Sequence, residues 1–316
     1  MVMRLINFIP TGTKIDFMRL RKPAAGSSAI LAVVSIILFA VLGLNYGIDF
    51  RGGIMVEIRT EQAADMAGLR RTLSGLGLGE VELQEFGRPT DVLIRVERQP
   101  GGEKAQAKAV ETIKGALGKY VDYRRVEFVG PKVGAELINA GITAVLAAIA
   151  AMLVYIWFRF EWQFGVGAVI ALLHDVVLTI GIFAVLGLEF NLSIVAAILA
   201  IAGYSINDTV VVYDRVRENL RKYKTMNMTA LLNMSINDTL SRTLLTSITT
   251  LLALLALFFF GGQVIKGFSF AMIWGVIVGT YSSIWIAVPL LVYMNLNRGG
   301  LISGKIDDEE AGTSKN

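Results

Sequence analysis

Six long apolar runs dominate the chain, at 28–46, 138–158, 163–187, 192–213, 240–260 and 267–294. A helix needs about twenty apolar residues to cross the hydrocarbon of a bilayer, and each run reaches or approaches that length. They predict six transmembrane helices. Between the first and second runs, residues 47–137 are mixed in polarity, and Ile54-Met55-Val56-Glu57-Ile58-Arg59 reads as an alternating strand. A helical stretch at 63–76 follows. Next come strands at 81–86 and 92–96 joined by Gly87-Arg88-Pro89, a second helix at 103–117 and a last strand at 120–129. The order β-α-β-β-α-β is that of the split βαβ, or ferredoxin-like, arrangement, whose antiparallel sheet carries both helices on one face. The expected fold class is an α-helical polytopic membrane protein with this α+β domain inserted between transmembrane helices 1 and 2.

Composition supports the membrane reading. Hydrophobic residues make up 54% and charged residues 18% of the 316 positions, against about a quarter charged in soluble domains. The net charge of +4 does not point to nucleic acid, because the basic residues gather beside apolar runs. Arg4, Lys14, Arg19, Arg21 and Lys22 precede the first run, and Arg215, Arg217, Arg221, Lys222 and Lys224 follow the fourth. Under the positive-inside rule this predicts cytoplasmic ends, with segment 1–27, loop 214–239 and tail 295–316 on that side. The opposite side has short turns, one with Glu189-Phe190-Asn191 and one with Lys266. The inserted domain is exempt, since large domains translocate regardless of charge. The first run ends in Asn45-Tyr46-Gly47 without a small-x-small cleavage site and reads as an uncleaved signal-anchor. No cysteine occurs, so disulfides and thiolate metal sites are excluded.

Enzyme motifs are missing. Gly75-Leu76-Gly77-Leu78-Gly79 follows a helix and lacks the spacing of a dinucleotide-binding turn, and there is no Walker A or G-x-S-x-G sequence. Neither ATP hydrolysis by a P-loop nor serine hydrolysis is expected, and no cofactor is implied. The acidic run 307–310 reads as part of a solvated tail.

The informative residues are the ionisable ones inside the spans, because one at a helix centre costs about 2.5 to 3.5 kcal/mol on insertion scales. His174-Asp175 falls mid-way along the third span. Ser205-Ile206-Asn207-Asp208-Thr209 places a carboxylate about two turns before Asp214-Arg215, and Arg242 opens the fifth span at comparable depth. Thr239, Arg242, Thr243, Thr246 and Thr250 recur at three- and four-residue spacing, as one face of a helix does. That face is expected to point into the bundle, where Arg242 and Asp208 would form a buried, proton-exchanging ion pair. The plainer alternative is a static pair that fixes helix packing. His174 and Asp175 diverge by about 100°, so at most one faces Asp208 squarely.

Two motifs carry a resemblance. Gly47-Ile48-Asp49-Phe50-Arg51-Gly52-Gly53 after the first run, and Gly203-Tyr204-Ser205-Ile206-Asn207-Asp208-Thr209-Val210-Val211-Val212-Tyr213-Asp214-Arg215 across the fourth, resemble the SecF family. Val129-Gly130-Pro131-Lys132-Val133-Gly134, Leu173-His174-Asp175 and Ser241-Arg242-Thr243 also look like family motifs. The resemblance extends from Phe17-Met18-Arg19 through the sixth run and does not include the acidic tail. It implies the smaller half of the SecDF complex of the resistance-nodulation-division superfamily, in the bacterial inner membrane. Its implied partners are SecD, the SecYEG channel, exported polypeptides and protons. It further implies proton coupling at Asp208 and Arg242, with His174, Asp175 and Asn207 as further candidates, and a periplasmic inserted domain. A proton-driven exporter of small molecules or lipids from the same superfamily is the alternative, and a purely structural subunit a third class.

Overall fold

The structure, a computed structural model, describes residues 13–79, 81–118, 121–129, 131–294 and 296. Arg4, Tyr120, Gly130 and the acidic run 307–310 lie outside the described residues, as does the side chain of Arg51. A single 3-10 turn, Phe17–Leu20, leads into helix α1, Arg21–Leu42. Gly43, at φ 70°, stops α1 before the apolar run ends, and Asn45–Tyr46 become the short strand β1. A helical turn α2, Ile48–Arg51, then delivers the chain to the inserted domain.

That domain runs β2 (Gly53–Thr60), α3 (Met66–Ser74), β3 (Val81–Phe86), β4 (Arg88–Val96), α4 (Gly102–Leu117) and β5 (Val121–Val129). The sheet order is β3-β4-β2-β5, antiparallel throughout. Period-two alternation puts Ile54, Val56, Ile58, Val92, Ile94 and Val96 on one face, all nearly or fully buried. Leu73 of α3 and Ala109, Val110 and Ile113 of α4 close over that face, so both helices cover the same side. Each such aliphatic side chain contributes about 1.5 to 3 kcal/mol on burial, and together they give the domain a core of its own. Asp65 caps α3 by accepting from Gly68 N. The turn between β3 and β4 is tighter than expected: Gly87, at φ 82°, makes it almost alone, and Arg88 is already in the strand. Arg59 and Asp91 face each other across β2 and β4 and are joined through Arg59 Nε at 2.5 Å. The Arg59 guanidinium holds the Asp91 carboxyl below the usual carboxylate range, against the opposing effect of burial.

The membrane part follows as α5 (Pro131–Arg159), α6 (Trp162–Leu186), the short strand β6 (Glu189–Phe190), α7 (Leu192–Lys222) and α8 (Met228–Phe260). Helix α9 (Gln263–Ser282) passes through a π turn at Ser283–Ala287 into α10, Val288–Tyr293. Among the described residues six helices are long and apolar enough to cross a membrane, the sixth comprising α9 to α10. Helices α6, α7 and α9 are the most enclosed, while α1, α5 and α8 lie around them.

Two departures from the apolar pattern have clear causes. The expected loop 214–239 is mostly helix, with only 223–227 outside α7 and α8. Polar residues end the apolar run there, but Val216 and Leu220 stay buried against Leu231, Leu232 and Ile236, and Asn219 Nδ2 donates to Ser235 Oγ at 2.9 Å. An amphipathic hairpin therefore continues past the apolar run, and Asn227 caps its second helix. The π turn precedes Pro289, whose ring nitrogen cannot donate to the preceding turn. The Ala287 carbonyl in this turn accepts from the buried Tyr213 hydroxyl at 3.0 Å.

Candidate functional site

Two buried carboxylates organise the centre of the bundle. Asp208, on the inward side of α7, is 8% exposed. Its Oδ1 accepts from Thr243 Oγ1 of α8 at 2.8 Å, and its Oδ2 has no protein partner among the described residues. Asp175 of α6 is fully buried and better satisfied. Its Oδ1 lies 2.9 Å from His174 Nδ1, and its Oδ2 accepts from Ser205 Oγ of α7 at 2.5 Å and Ser282 Oγ of α9 at 2.8 Å. Asp175 thus joins the three most enclosed helices. Neither it nor His174 bonds to Asp208, but Ser205 lies one helical turn from Asp208 on the same helix, and Thr209 Oγ1 meets Ser283 Oγ at 2.9 Å.

Close helix approach makes these bonds possible. A Cβ built on Gly275 of α9 would collide with the Ile201 side chain of α7, and one on Gly279 would lie 3.2 Å from Ser205 Cβ. Gly275 and Gly279 form a G-x-x-x-G pair, which lets two backbones approach within a membrane. The hydroxyls of Ser282 and Ser283, on the next turn, then reach Asp175 and Thr209.

The expected ion pair is not formed. Arg242 is exposed and lies within 4.0 Å of no carboxylate among the described residues. Thr239 and Thr243 are buried and Thr250 half-buried, but Thr246 is exposed and bonds back to Arg242 O at 2.9 Å. The enclosed edge of α8 instead follows Thr239, Thr243 and Ser247, with Ser247 Oγ meeting Thr280 Oγ1 at 2.7 Å. Four-residue steps turn the helix by about 40° more than a full turn and three-residue steps by about 60° less, so a mixed stripe straddles two faces. Asn207 and Gly203 are likewise exposed, on the outer side of α7.

The first motif links the inserted domain to α7. Asp49 Oδ2 accepts from Leu192 N at 2.8 Å, adding a cap at the start of α7 to the one made by Asn191. Strand β1 pairs in parallel with β6, Gly47 N donates to Phe190 O at 2.9 Å, and Phe50 stacks on Phe190. Arg95 of β4 forms an ion pair with Glu189 in the same turn. Gly53 adopts φ 121°, and a Cβ there would sit 2.8 Å from Val96 O, so the strand entry requires glycine. Among the described residues no group of three His, Cys, Asp or Glu side chains is placed to hold a metal ion.

Comparison with known proteins identifies the family behind this geometry. Residues 109–297 match the model of the C-terminal part of the protein export membrane proteins SecD/SecF, and residues 37–64 match the SecD/SecF GG motif. Protein translocase subunit SecF of Rickettsia rickettsii is 50% identical over 297 residues, covering 93% of this chain and 96% of its own length. The chain belongs to the SecF family. The SecF of Rickettsia prowazekii is 49% identical over 290 residues, covering 90% of this chain and 93% of its own. Among solved structures, the SecDF of Thermus thermophilus, a translocon-associated membrane protein, superposes with a TM-score of 0.82 at 36% identity over 92% of this chain. A SecDF in a super-membrane-facing form gives 0.67 at 33% identity over 98%. This SecF-family chain spans 40% and 41% of those two SecDF chains.

Sequence reasoning missed Ser282, Ser283 and Thr280, which no charge or apolar break singles out. The Gly275-x-x-x-Gly279 spacing just before them was the available signal.

Proposed function

We propose that this chain is the SecF half of a two-part export machine in the bacterial inner membrane. Acting with SecD beside the SecYEG channel, it uses the proton-motive force to promote translocation and release of exported polypeptides. Its family membership supports the role of a protein-export translocase subunit. The observation that carries the proton-coupled reading is the half-satisfied Asp208, with one oxygen held by Thr243 and the other buried without a partner among the described residues, beside a polar exposed strip. That strip consists of Gly203 and Asn207 on α7 and Arg242 and Thr246 on α8. An arginine turned to lipid at this depth is costly, so the strip is the face a second helical half would cover. That half would bring Arg242 and Asp208 into one enclosed, hydrated seam in which a carboxylate can take up and release a proton. The length of the SecDF chains, with more than half unmatched here, supports a partner of that kind.

The inserted domain is proposed as ferredoxin-like, as its sheet order supports, and as periplasmic, on the positive-inside reading of the basic segments. The basic residues at the start of α1 and the end of α7 then face the cytoplasm. Movement of α7 reaches the domain through the Asp49 cap, the β1–β6 pair and the Arg95–Glu189 ion pair. The test is export into inverted membrane vesicles containing the SecD partner, with and without a proton gradient. Asp208→Asn and Arg242→Lys are expected to abolish the gradient-dependent increment and leave the gradient-independent component. Full gradient-dependent export by both variants refutes the proton role.

A further inference from the structure

A lateral groove runs along α1, on the side where α6 and α10 face it. Its walls are α1, α6 and the π turn with α10, and it encloses a volume of about 360 Å³. On α1 it follows Arg21, Ala25, Ala29, Ala32 and Ile36, a length of about 22 Å at 1.5 Å per residue. The three alanines, spaced a turn apart, leave the gap, and Ser35 packing onto Gly181 lies at the Ile36 end. The lining is almost entirely apolar. Its polar atoms are few, and several have no protein partner among the described residues. Arg21, at the start of α1, uses Nη1 on Met18 O at 3.3 Å, and its Nε and the indole Nε1 of Trp285 are unpaired among the described residues. Phe17 packs edge-on to Trp285 at 5.5 Å, which sets that indole near the Arg21 end. Deeper in, His174 is 8% exposed, and its Nε2 is buried without a partner among the described residues while Nδ1 engages Asp175.

The chemistry at the two ends differs. One end offers a guanidinium, an indole N–H and the neighbouring cation Lys22, with no carboxylate among the lining residues. The other is a long apolar slot, too narrow for a helix of about 10–12 Å diameter but of a size for one extended hydrocarbon chain. A cation at the membrane surface above an apolar slot matches an anionic amphiphile of the bilayer. We infer that this groove is a specific site for one anionic phospholipid, its phosphate on Arg21 and one acyl chain along Ala25, Ala29 and Ala32. The lipid fills the space between α1 and α6 and fixes the first helix against the helix that carries His174 and Asp175. It is a resident of the site, held from the leaflet on the Arg21 side.

The test uses the full chain in phosphatidylcholine nanodiscs doped with either phosphatidylglycerol or phosphatidylcholine carrying a diazirine in one tail, with cross-linked peptides mapped by mass spectrometry. Cross-links to 25–36 and 173–177 are expected to be about fivefold more abundant with phosphatidylglycerol, the effect of one cation near an anionic headgroup. Arg21→Gln removes that preference and keeps tail labelling. Ala29→Trp fills the slot and suppresses labelling by both lipids, whereas Ile30→Trp, at an outward position 65% exposed, leaves it unchanged. Should Ala29→Trp fail to insert, the headgroup preference in wild type and its loss in Arg21→Gln decide the matter alone. Equal labelling by the two lipids in wild type, or identical maps for the two tryptophan variants, overturns the site.

Discussion

Replacing Asp175 by alanine tests whether one carboxylate holds the centre of the bundle together. The change removes the acceptor for three groups at a fully buried point: His174 Nδ1, Ser205 Oγ and Ser282 Oγ. Interhelical hydrogen bonds in membranes average about 0.6 kcal/mol and reach about 1.7, so those from Ser205 and Ser282 amount to about 1 to 3 kcal/mol, and the His174 contact within α6 adds about 1, for about 2 to 4 kcal/mol in all. Ser282 Oγ also reaches Gly279 O at 3.1 Å and keeps a partner, which places the expected loss in the lower half of that range. Asp175→Asn retains the volume and one carbonyl acceptor and is expected to cost about 1 kcal/mol. The assay is reversible unfolding of the full chain in mixed micelles by SDS titration, followed by tryptophan fluorescence. Trp285 reports on the site, since it stacks on Tyr281, which stacks on His174. A double-mutant cycle of Asp175→Asn with Ser205→Ala should show coupling above about 0.5 kcal/mol. If Asp175→Ala unfolds within about 0.5 kcal/mol of wild type, or if alanine and asparagine cost the same, the network does not join the three helices.

Four further outcomes follow from other contacts. Gly275→Val should destabilise the same chain by about 1 to 3 kcal/mol through its clash with Ile201, and Ile201→Ala should recover part of the loss; a neutral Gly275→Val would show that α7 and α9 do not pack as closely as described. Asp49→Ala should speed hydrogen exchange at the Leu192 amide, at a cost of about 1 kcal/mol, while Ile194 keeps its Asn191 cap and Asp49→Asn keeps most of the protection; unchanged exchange at Leu192 would remove Asp49 from that role. Segment 50–133, with its own core, should fold alone and give a mixed α/β spectrum. Asp91 has a depressed folded value, so its pairing with Arg59 contributes stability above the unfolded value of about 3.9 that is lost as pH falls through the folded one. The gap in thermal midpoint between wild-type segment and Asp91→Asn should therefore be wide at neutral pH and shrink in acid; a pH-independent gap would contradict the sign.

What the sequence determined by itself was whatever depends on neighbours along the chain. Apolar run length marked six spans because crossing a bilayer takes a continuous stretch, and alternation marked the strands because side chains alternate across a sheet. Those cues placed β3 at 81–86 and ordered the elements of the inserted domain. They could not mark the end of α7, where an amphipathic helix outlasts its apolar run, or the stop at Gly43, where the run outlasts the helix. The candidate site was legible only in part. Asp208, His174 and Asp175 stand out as ionisable residues in apolar surroundings, but their partners do not. Asp175 bonds across 30 and 107 residues of chain to Ser205 and Ser282. Which edge of α8 is enclosed is decided by the polar groups of α7 and α9 that meet it, Asp208, Tyr204 and Thr280, and this left Thr243 on Asp208 and turned Arg242 outward. Periodicity defines a helix face to within about one residue's rotation, about 100°, and only tertiary packing chooses which part of that arc meets its neighbour.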